Sequence, residues 1–291
     1  MTQLSRRLKA MQRVDEITVA ALQMVSSDKL KDNLKTVERL VQDAVNAGVS
    51  FVVLPENFAL MANSSAQLLS TAEPLGEGPI QDFLKRLSAQ YHCWIVAGSL
   101  AIKSMVNHKV YACCLVYNEI GQQVATYNKL HLFDVDVADS KGRYRESDTF
   151  KAGQEVVVVD TPFGVMGLSI CYDLRFPEMY RQLLQKGAEF IVAPSAFTEV
   201  TGQAHWSLLC RARAVENSCY LIAPNQGGRH ANNRVTYGHS MVVDPWGEVM
   251  VELGTGEGLA IATLKKTDSE KIRTTFPAIQ HGRFSMTIKS D

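Results

Sequence analysis

The chain has 291 residues, 46% of them hydrophobic and 21% charged, which is typical of a globular protein with enough apolar material for one large core. Lys plus Arg and Asp plus Glu both number 30, so the formal net charge is zero and the composition gives no broad attraction to nucleic acid or to an anionic membrane. We therefore expect a small-molecule partner and neither a nucleic-acid nor a membrane partner, since no stretch approaches the ~20 apolar residues that span a bilayer.

The first predicted elements are a strand, a helix and a second strand. An apolar run at 17–24 predicts the first strand, and Ser27 or Asp28 is expected to cap the amphipathic helix that follows. The second strand, at 51–54, is apolar on both faces and stops at a proline. Glu56 is therefore predicted at the C-terminal tip of a strand.

The middle of the chain predicts a helix followed by several strands. Pro79 opens an amphipathic helix, a strand follows at 94–100, and a hairpin is predicted from 109 to 127. Lys129 comes directly after this hairpin. A polar loop is predicted at 134–150.

Cys171 ends the apolar run at 165–170, and a helix opened by Pro177 follows it. A side chain at the tip of a strand-to-helix turn projects out of the sheet, beside the backbone N–H groups of the opening helix. We expect these N–H groups to favour the thiolate of Cys171. Cys113, Cys114 and Cys219 lie in apolar strands and are interpreted as core residues.

The last third predicts a helix that starts at His205, a hairpin around 244–247, and a helix capped by a box of Thr267 and Glu270. A short pattern also recurs three times: a helix, a polar or glycine residue, an apolar strand and a proline. Repeated helix-to-strand units are typical of helices layered on sheets. No Gly/Ser-rich or Pro-rich linker divides the chain, so one α/β domain is predicted over 15–285, with a C-terminal tail at 286–291.

Residues 1–14 are predicted to be a polar lead-in, because no apolar segment follows the Arg6-Arg7 pair as an export signal would require. The six cysteines are too few for a disulfide scaffold, and none has the spacing of a zinc site. A cytoplasmic location is expected.

Glu56, Lys129 and Cys171 are each predicted at or just past the end of a strand, where sites in α/β proteins are built. Taken singly, the cysteine reads as a small buried hydrophobe and the other two as solvated charges. Together they supply a base, an electrophile and a nucleophile. His131 suggests a Cys-His dyad, but we expect it to support the loop that carries Lys129.

Three segments resemble the signature stretches of the nitrilase superfamily of carbon-nitrogen hydrolases, in that family's order. They are Phe-Val-Val-Leu-Pro-Glu ending at Glu56, Tyr-Asn-Lys-Leu-His-Leu around Lys129, and Ile-Cys-Tyr-Asp-Leu-Arg-Phe-Pro-Glu around Cys171. The resemblance runs from about residue 17 to about residue 284. It implies a four-layer α-β-β-α sandwich, no metal or organic cofactor, and a homodimer or larger homo-oligomer.

The same resemblance implies that Glu56, Lys129 and Cys171 form a catalytic triad, with Glu146 matching a second glutamate beside it. A salt bridge within a loop is the alternative for Glu146. In amide hydrolysis on such a triad, the backbone N–H of Tyr172 is expected to stabilise the oxyanion together with Lys129.

The branch of the superfamily is indicated by the two residues after the nucleophile. True nitrilases typically have Trp-Glu there, whereas this chain has Tyr172-Asp173, as in the amidase branches. The segments at 201–206, 226–230 and 237–247 most closely resemble the Nit branch and, within it, the deaminated glutathione amidases. These enzymes hydrolyse deaminated glutathione to 2-oxoglutarate and cysteinylglycine.

Three other functions stay open at this point. They are an ω-amidase acting on 2-oxoglutaramate, a nitrilase or N-carbamoyl amidohydrolase on the same triad, and a catalytically idle partner protein, which is disfavoured because every triad position carries the competent residue. A substrate carboxylate needs a cation and hydrogen-bond donors, and the candidates are Arg175, Arg229 and Thr198. For Arg175, a structural ion pair is the alternative.

Overall fold

A computed structural model describes residues 13–106, 108–139 and 142–284. The Arg6-Arg7 pair and the predicted tail at 286–291 lie outside the described residues. The helices are α1 Leu30–Asn46, α2 Ser65–Thr71, α3 Pro79–Tyr91, α4 Pro177–Gln185, α5 Glu199–Asn217 and α6 Lys266–Thr275. The strands are β1 Glu16–Gln23, β2 Phe51–Val53, β3 Trp94–Val96, β4 Leu100–Lys103, β5 Val110–Tyr117, β6 Gln123–Asn128, β7 Asp134–Asp136, β8 Arg143–Arg145, β9 Val158–Asp160, β10 Val165–Leu168, β11 Phe190–Val192, β12 Tyr220–Ala223, β13 Gly227–Arg229, β14 Val235–Tyr237, β15 Met241–Val243, β16 Val249–Glu252 and β17 Gly258–Lys265.

Two large sheets form the centre of the molecule. The first has the order β17-β1-β2-β3-β5-β4 with β6 also paired to β5, and the second has the order β16-β15-β12-β11-β10-β9. Strands β1, β2 and β3 are parallel to one another, as are β10, β11 and β12. Each large sheet therefore has a parallel centre and antiparallel edges.

The side chains of the first sheet alternate between two apolar layers. Val52 and Ile95 pack with the buried faces of α1 and α3, whereas Phe51 and Trp94 belong to the layer shared with the second sheet. The Phe51 ring meets Phe190 of β11 edge-on, with 5.8 Å between the ring centroids. Because α4 and α5 cover the other side of the second sheet, the fold is the predicted α-β-β-α sandwich.

The three repeats found in the sequence are helix-to-strand units of this sandwich. α1, α4 and α5 lead into β2, β11 and β12, and a proline follows each strand at 55, 194 and 224. The hairpin predicted at 109–127 is also correct, since β5 and β6 pair antiparallel across a turn.

Three helix starts were predicted wrongly. α1 begins at Leu30 without a side-chain cap, because the Ser27 side chain accepts the Lys29 N–H group outside the helix. α5 begins at Glu199, six residues before His205. Thr267 lies inside the first turn of α6, so it does not cap that helix.

The loop predicted at 134–150 also carries secondary structure. β7 and β8 form a short hairpin, and a 3-10 turn at Glu146–Asp148 follows it. This hairpin fixes the position of Glu146 beside Lys129.

Candidate active site

Glu56 and Lys129 leave the first sheet at neighbouring points. Glu56 follows β2 by three residues. The Pro55 carbonyl next to it packs against Gly98, where a Cβ atom would lie 1.9 Å from the carbonyl oxygen, so only glycine permits this contact. Lys129 follows β6 directly, and its N–H group donates to the Ala112 carbonyl.

The ammonium group of Lys129 binds two carboxylates. Its Nζ lies 2.8 Å from Glu56 Oε1, 2.9 Å from Glu146 Oε2 and 3.1 Å from Glu146 Oε1. The Lys129 and Glu56 side chains are 1% and 4% exposed, so water screens this pair little. The structure thus brings together three of the predicted residues around one buried cation.

The charge on Lys129 is stabilised by these two neighbours. Burial alone lowers the pKa of Lys129, but the carboxylates of Glu146 and Glu56 outweigh it and hold the pKa well above its usual range. Glu146 also accepts the Phe133 N–H group at 2.8 Å, which fixes its carboxylate. Lys129 is therefore a fixed positive charge between the two carboxylates.

Cys171 lies on a strained turn at the end of β10. Its φ is 50°, in the left-handed region that a cysteine rarely adopts, and its N–H group donates to the Pro194 carbonyl at 2.8 Å. A 3-10 turn, Cys171–Arg175, precedes the helix opened by Pro177.

The surroundings of Cys171 work against the expected thiolate. Burial, followed by the charge of Glu56, raises the pKa of the Cys171 thiol well above its usual range, and the opposing effect of Lys129 is smaller. Cys171 and Glu56 line one cavity, so the thiol proton has an acceptor nearby.

A buried aspartate connects the segments that carry Lys129 and Cys171. Asp173 accepts the N–H groups of Ile170 at 2.8 Å and His131 at 3.1 Å, and the Tyr127 hydroxyl at 2.6 Å. His131 Nδ1 lies 2.7 Å from the same carboxylate, and the imidazole stacks on Phe176. His131 thus supports the loop, as predicted.

Two adjoining cavities lie over these residues. The inner chamber has a volume of about 10 Å³ and contains Cys171, whereas the outer cavity has a volume of about 770 Å³. They share four lining residues, which we call the neck: Glu56, Phe133, Glu146 and Arg234. Further residues of the inner chamber are Tyr172, Arg175, Ala196, Phe197, Thr198 and Thr201.

Arg175 and Thr198 both line the inner chamber. The Arg175 guanidinium carbon lies 5.4 Å from the Phe197 ring centroid and 5.9 Å from that of Tyr172. Its Nη1 lies 3.3 Å from His205 Nδ1. Within residues 13–106, 108–139 and 142–284 no ion pair with a carboxylate is found for Arg175, so the alternative of a structural ion pair is not supported there. Thr198 caps α5 by accepting the Thr201 N–H group.

The structure places Arg229 away from Cys171's chamber. It is exposed at the end of β13 and is not among the residues that line the two cavities. Arg234, across the same hairpin, lines both of them. Both arginines flank one polar turn, and the sequence does not indicate which of them faces inward.

The described part of the chain contains no group of three or more His, Cys, Asp or Glu side chains placed to hold a metal ion. All six cysteines are free and buried. In the same residues we find no helix with the length and hydropathy that crossing a membrane requires.

Comparison with known proteins gives consistent matches. The family model described as carbon-nitrogen hydrolase matches residues 18–274. A deaminated glutathione amidase of Yersinia enterocolitica is 40% identical over 271 residues, covering 93% of this chain and 94% of that protein.

Two solved structures share the fold. The Saccharomyces cerevisiae protein Nit3, described as a member of branch 10 of the nitrilase superfamily, superposes with a TM-score of 0.84 at 32% identity, over 94% of this chain and 98% of that one. The C. elegans NitFhit protein gives a TM-score of 0.86 at 34% identity, over 94% of this chain and 66% of that one.

Proposed function

The chain belongs to the carbon-nitrogen hydrolase family and is an amidase of that family, and we propose that it hydrolyses the amide bond of deaminated glutathione through a thioester on Cys171. The observation that best supports this mechanism is the buried Lys129 held between Glu56 and Glu146, with Glu56 lining the same chamber as the Cys171 thiol.

The first half of the reaction forms the acyl-enzyme. Glu56 accepts the Cys171 proton as the sulfur attacks the amide carbon. The oxyanion is stabilised by Lys129 and the backbone N–H of Tyr172, both of which interact more strongly with the transition state than with the substrate. The C–N bond then breaks as Glu56 returns the proton to the nitrogen, and the amine leaves.

The second half releases the acid. Glu56 takes a proton from a water molecule, which attacks the thioester carbon, and the carboxylic acid leaves as Cys171 recovers its proton. Glu146 acts by holding Lys129 in place.

The substrate is inferred from the relatives and from the cations in the chamber. Curated relatives at about 40% identity are named deaminated glutathione amidase. Arg175 has no carboxylate partner among the described residues, so it is free to bind the carboxylate of a 2-oxo-acid acyl group, with Thr198 beside it.

A substrate panel tests this function. We offer deaminated glutathione, 2-oxoglutaramate, a nitrile and a carbamoyl compound to wild type and to Cys171→Ala. Cys93→Ala is the control, because the Cys93 sulfur is buried outside the two cavities. We expect hydrolysis of deaminated glutathione, an acyl adduct on Cys171 by mass spectrometry, and no turnover by Cys171→Ala. Turnover that survives in Cys171→Ala would contradict the mechanism, and preference for 2-oxoglutaramate would indicate an ω-amidase.

A further inference from the structure

We propose that Gln226 is a positioning residue, which holds the general base Glu56 at a fixed distance from Cys171 by joining the two halves of the active site. This inference rests on the proposed function, because it assumes that Glu56 takes the thiol proton of Cys171.

Glu56 and Cys171 come from different sheets. Glu56 follows β2 of the first sheet, and Cys171 follows β10 of the second. Buried apolar side chains fill the layer between the two sheets, and apolar packing has no preferred direction. Proton transfer needs its donor and acceptor atoms about 2.6–3.2 Å apart. A directional contact between the loops that follow these two strands would meet that need.

The side chain of Gln226 makes such a contact on the Glu56 side. Its Nε2 donates to the Glu56 carbonyl at 3.0 Å and to the Ser26 hydroxyl at 2.7 Å, and its Oε1 accepts the Ser26 N–H group at 3.0 Å. The Ser26 hydroxyl in turn donates to the Phe58 carbonyl at 3.0 Å. The backbone is therefore held at Glu56 itself and again two residues later.

The partners of this amide also fix its orientation. A backbone N–H group can only donate, so the side-chain oxygen of Gln226 must face Ser26 N–H, and the NH2 group is left to face the Glu56 carbonyl. Gln226 and Ser26 are 0% and 1% exposed. Water therefore cannot replace these hydrogen bonds when one partner is removed.

The main chain of Gln226 makes the contact on the Cys171 side. Its N–H group donates to the Ser195 carbonyl at 3.0 Å. Immediately before Ser195, the Pro194 carbonyl accepts the Cys171 N–H group at 2.8 Å. Immediately after it, Ala196 lines the inner chamber together with Cys171. One residue thus connects the backbone of the general base with the segment that packs on the nucleophile.

Loss of the side-chain contact should therefore act on the chemical step more than on substrate binding. Gln226 is not among the residues that line the two cavities. Displacing a reacting group by about 1 Å can lower a rate roughly 100-fold.

A displaced Glu56 should also change the reactivity of the thiol. The charge of Glu56 is one of the groups that raise the pKa of Cys171, so moving it away should let the thiolate form at lower pH. The substitutions below leave the other charged groups around the thiol in the sequence: Lys129, Glu146, Arg175 and Arg234.

The test removes the side-chain contact at two points. Gln226→Met keeps the length of the side chain and removes its hydrogen bonds. Ser26→Ala removes the hydroxyl that Gln226 binds and keeps the bond from Gln226 to the Glu56 carbonyl. We measure kcat and KM with deaminated glutathione, the rate of Cys171 alkylation by iodoacetamide between pH 6 and pH 10, and urea unfolding.

The controls are Gln81→Met and Ser88→Ala, which make the same changes in α3. Gln81 and Ser88 are 3% and 0% exposed, and neither lines the two cavities. Like Gln226, the Gln81 side chain accepts one backbone N–H group and donates to backbone carbonyls. The Ser88 hydroxyl donates to the Asn118 carbonyl at 2.9 Å. The controls therefore lose buried hydrogen bonds of the same kind.

We expect Gln226→Met to lower kcat about 10- to 100-fold and Ser26→Ala about three- to tenfold, with KM within about twofold of wild type. Alkylation of Cys171 in Gln226→Met should begin at lower pH than in wild type. Both controls should keep the wild-type kcat and alkylation profile, even where urea shows that they unfold more easily.

A wild-type kcat in Gln226→Met, or an equal loss of kcat in Gln81→Met, would overturn the positioning role and leave the amidase intact. If Gln226→Met does not fold, a wild-type kcat in Ser26→Ala has the same meaning. Absence of turnover by wild type, with no adduct on Cys171, would instead overturn the proposed function itself.

Discussion

Arg175 lies over two aromatic rings and contacts the His205 imidazole, but in the part of the chain that the structure describes no carboxylate neutralises it, so its charge can act on a ligand. Replacing Arg175 with Met keeps most of the side-chain length and removes the charge. A lost hydrogen bond to a charged group costs about 1.5–3 kcal/mol, so we expect KM for 2-oxo-acid amides to rise roughly 10- to 100-fold.

Steady-state kinetics with an anionic and a neutral amide check this prediction. Arg229→Met is the matched control, since Arg229 is exposed outside the two cavities. An equal rise of KM for both amides would remove Arg175 from carboxylate binding.

The proton on Cys171 gives a pH prediction of defined sign. The charge of Glu56 is one of the groups that raise the pKa of Cys171, and Lys129 lowers it. Replacing Glu56 with Gln removes a raising group and keeps the lowering one, so the thiolate should form at lower pH. We expect Glu56→Gln to abolish turnover yet to be alkylated by iodoacetamide at lower pH than wild type.

The rate of alkylation between pH 6 and pH 10 measures this shift. Glu257→Gln is the control, because Glu257 forms an exposed ion pair with Arg39 far from the thiol in sequence. If the Glu56→Gln profile stayed at the wild-type pH or moved higher, Glu56 would not be acting on the thiol.

Between elements, Asp173 connects the end of β6 with the turn that carries Cys171. Its carboxylate accepts hydrogen bonds from both segments and is fully buried. An asparagine here would place its NH2 group, a donor, against the N–H and hydroxyl donors that the carboxylate now accepts. Buried donors would then lack acceptors. We expect Asp173→Asn to lower the free energy of unfolding by about 3 kcal/mol and to lower kcat more than it changes KM.

Urea unfolding and steady-state kinetics check both parts. The control is Asp268→Asn. The Asp268 carboxylate also accepts a tyrosine hydroxyl, from Tyr220, but it lies on the surface in α6. A variant of Asp173 with wild-type kcat would show that the two segments are held by other contacts.

Element by element, the sequence predicts best where a pattern is local. β2 and β12 are short apolar runs bounded by polar residues and a proline, and both were found as predicted. The β7–β8 hairpin was missed because its three-residue strands are too short to show alternation. Its stability comes from contacts such as those of Arg145 with Val135 and Asp136, which only the folded chain brings together.

The site residues were also predictable only where the sequence pattern is local. Glu56, Lys129 and Cys171 occur in local motifs, so the sequence identifies them as candidate catalytic residues. Arg234 cannot be identified that way, because its role depends on which side of a hairpin faces the neck. The raised pKa of Cys171 is likewise a property of tertiary burial, which no local pattern reports.

Across the whole molecule, the outer face of α5 is unusually apolar for an exposed helix. Leu208 is 68% exposed, Val200 43% and Val215 49%, on one side of the helix. Trp246 and Phe276 add two exposed rings, in contact with each other and close to Val215 through Gly247. A row of large apolar side chains rimmed by polar residues is typical of a protein interface.

We propose that this face of α5 packs against a second copy of the chain, because a two-fold contact lets the same stripe cover itself. Replacing Leu208 with Glu places two like charges near the centre of such a contact, so the dimer should dissociate at micromolar concentration. Light scattering during size-exclusion chromatography measures the mass. Ile120→Glu, at a hairpin turn on the first sheet and 67% exposed, tests whether any new surface charge has this effect. Wild type that elutes as a monomer, or Leu208→Glu with the mass of wild type, would show that this stripe does not hold two copies together.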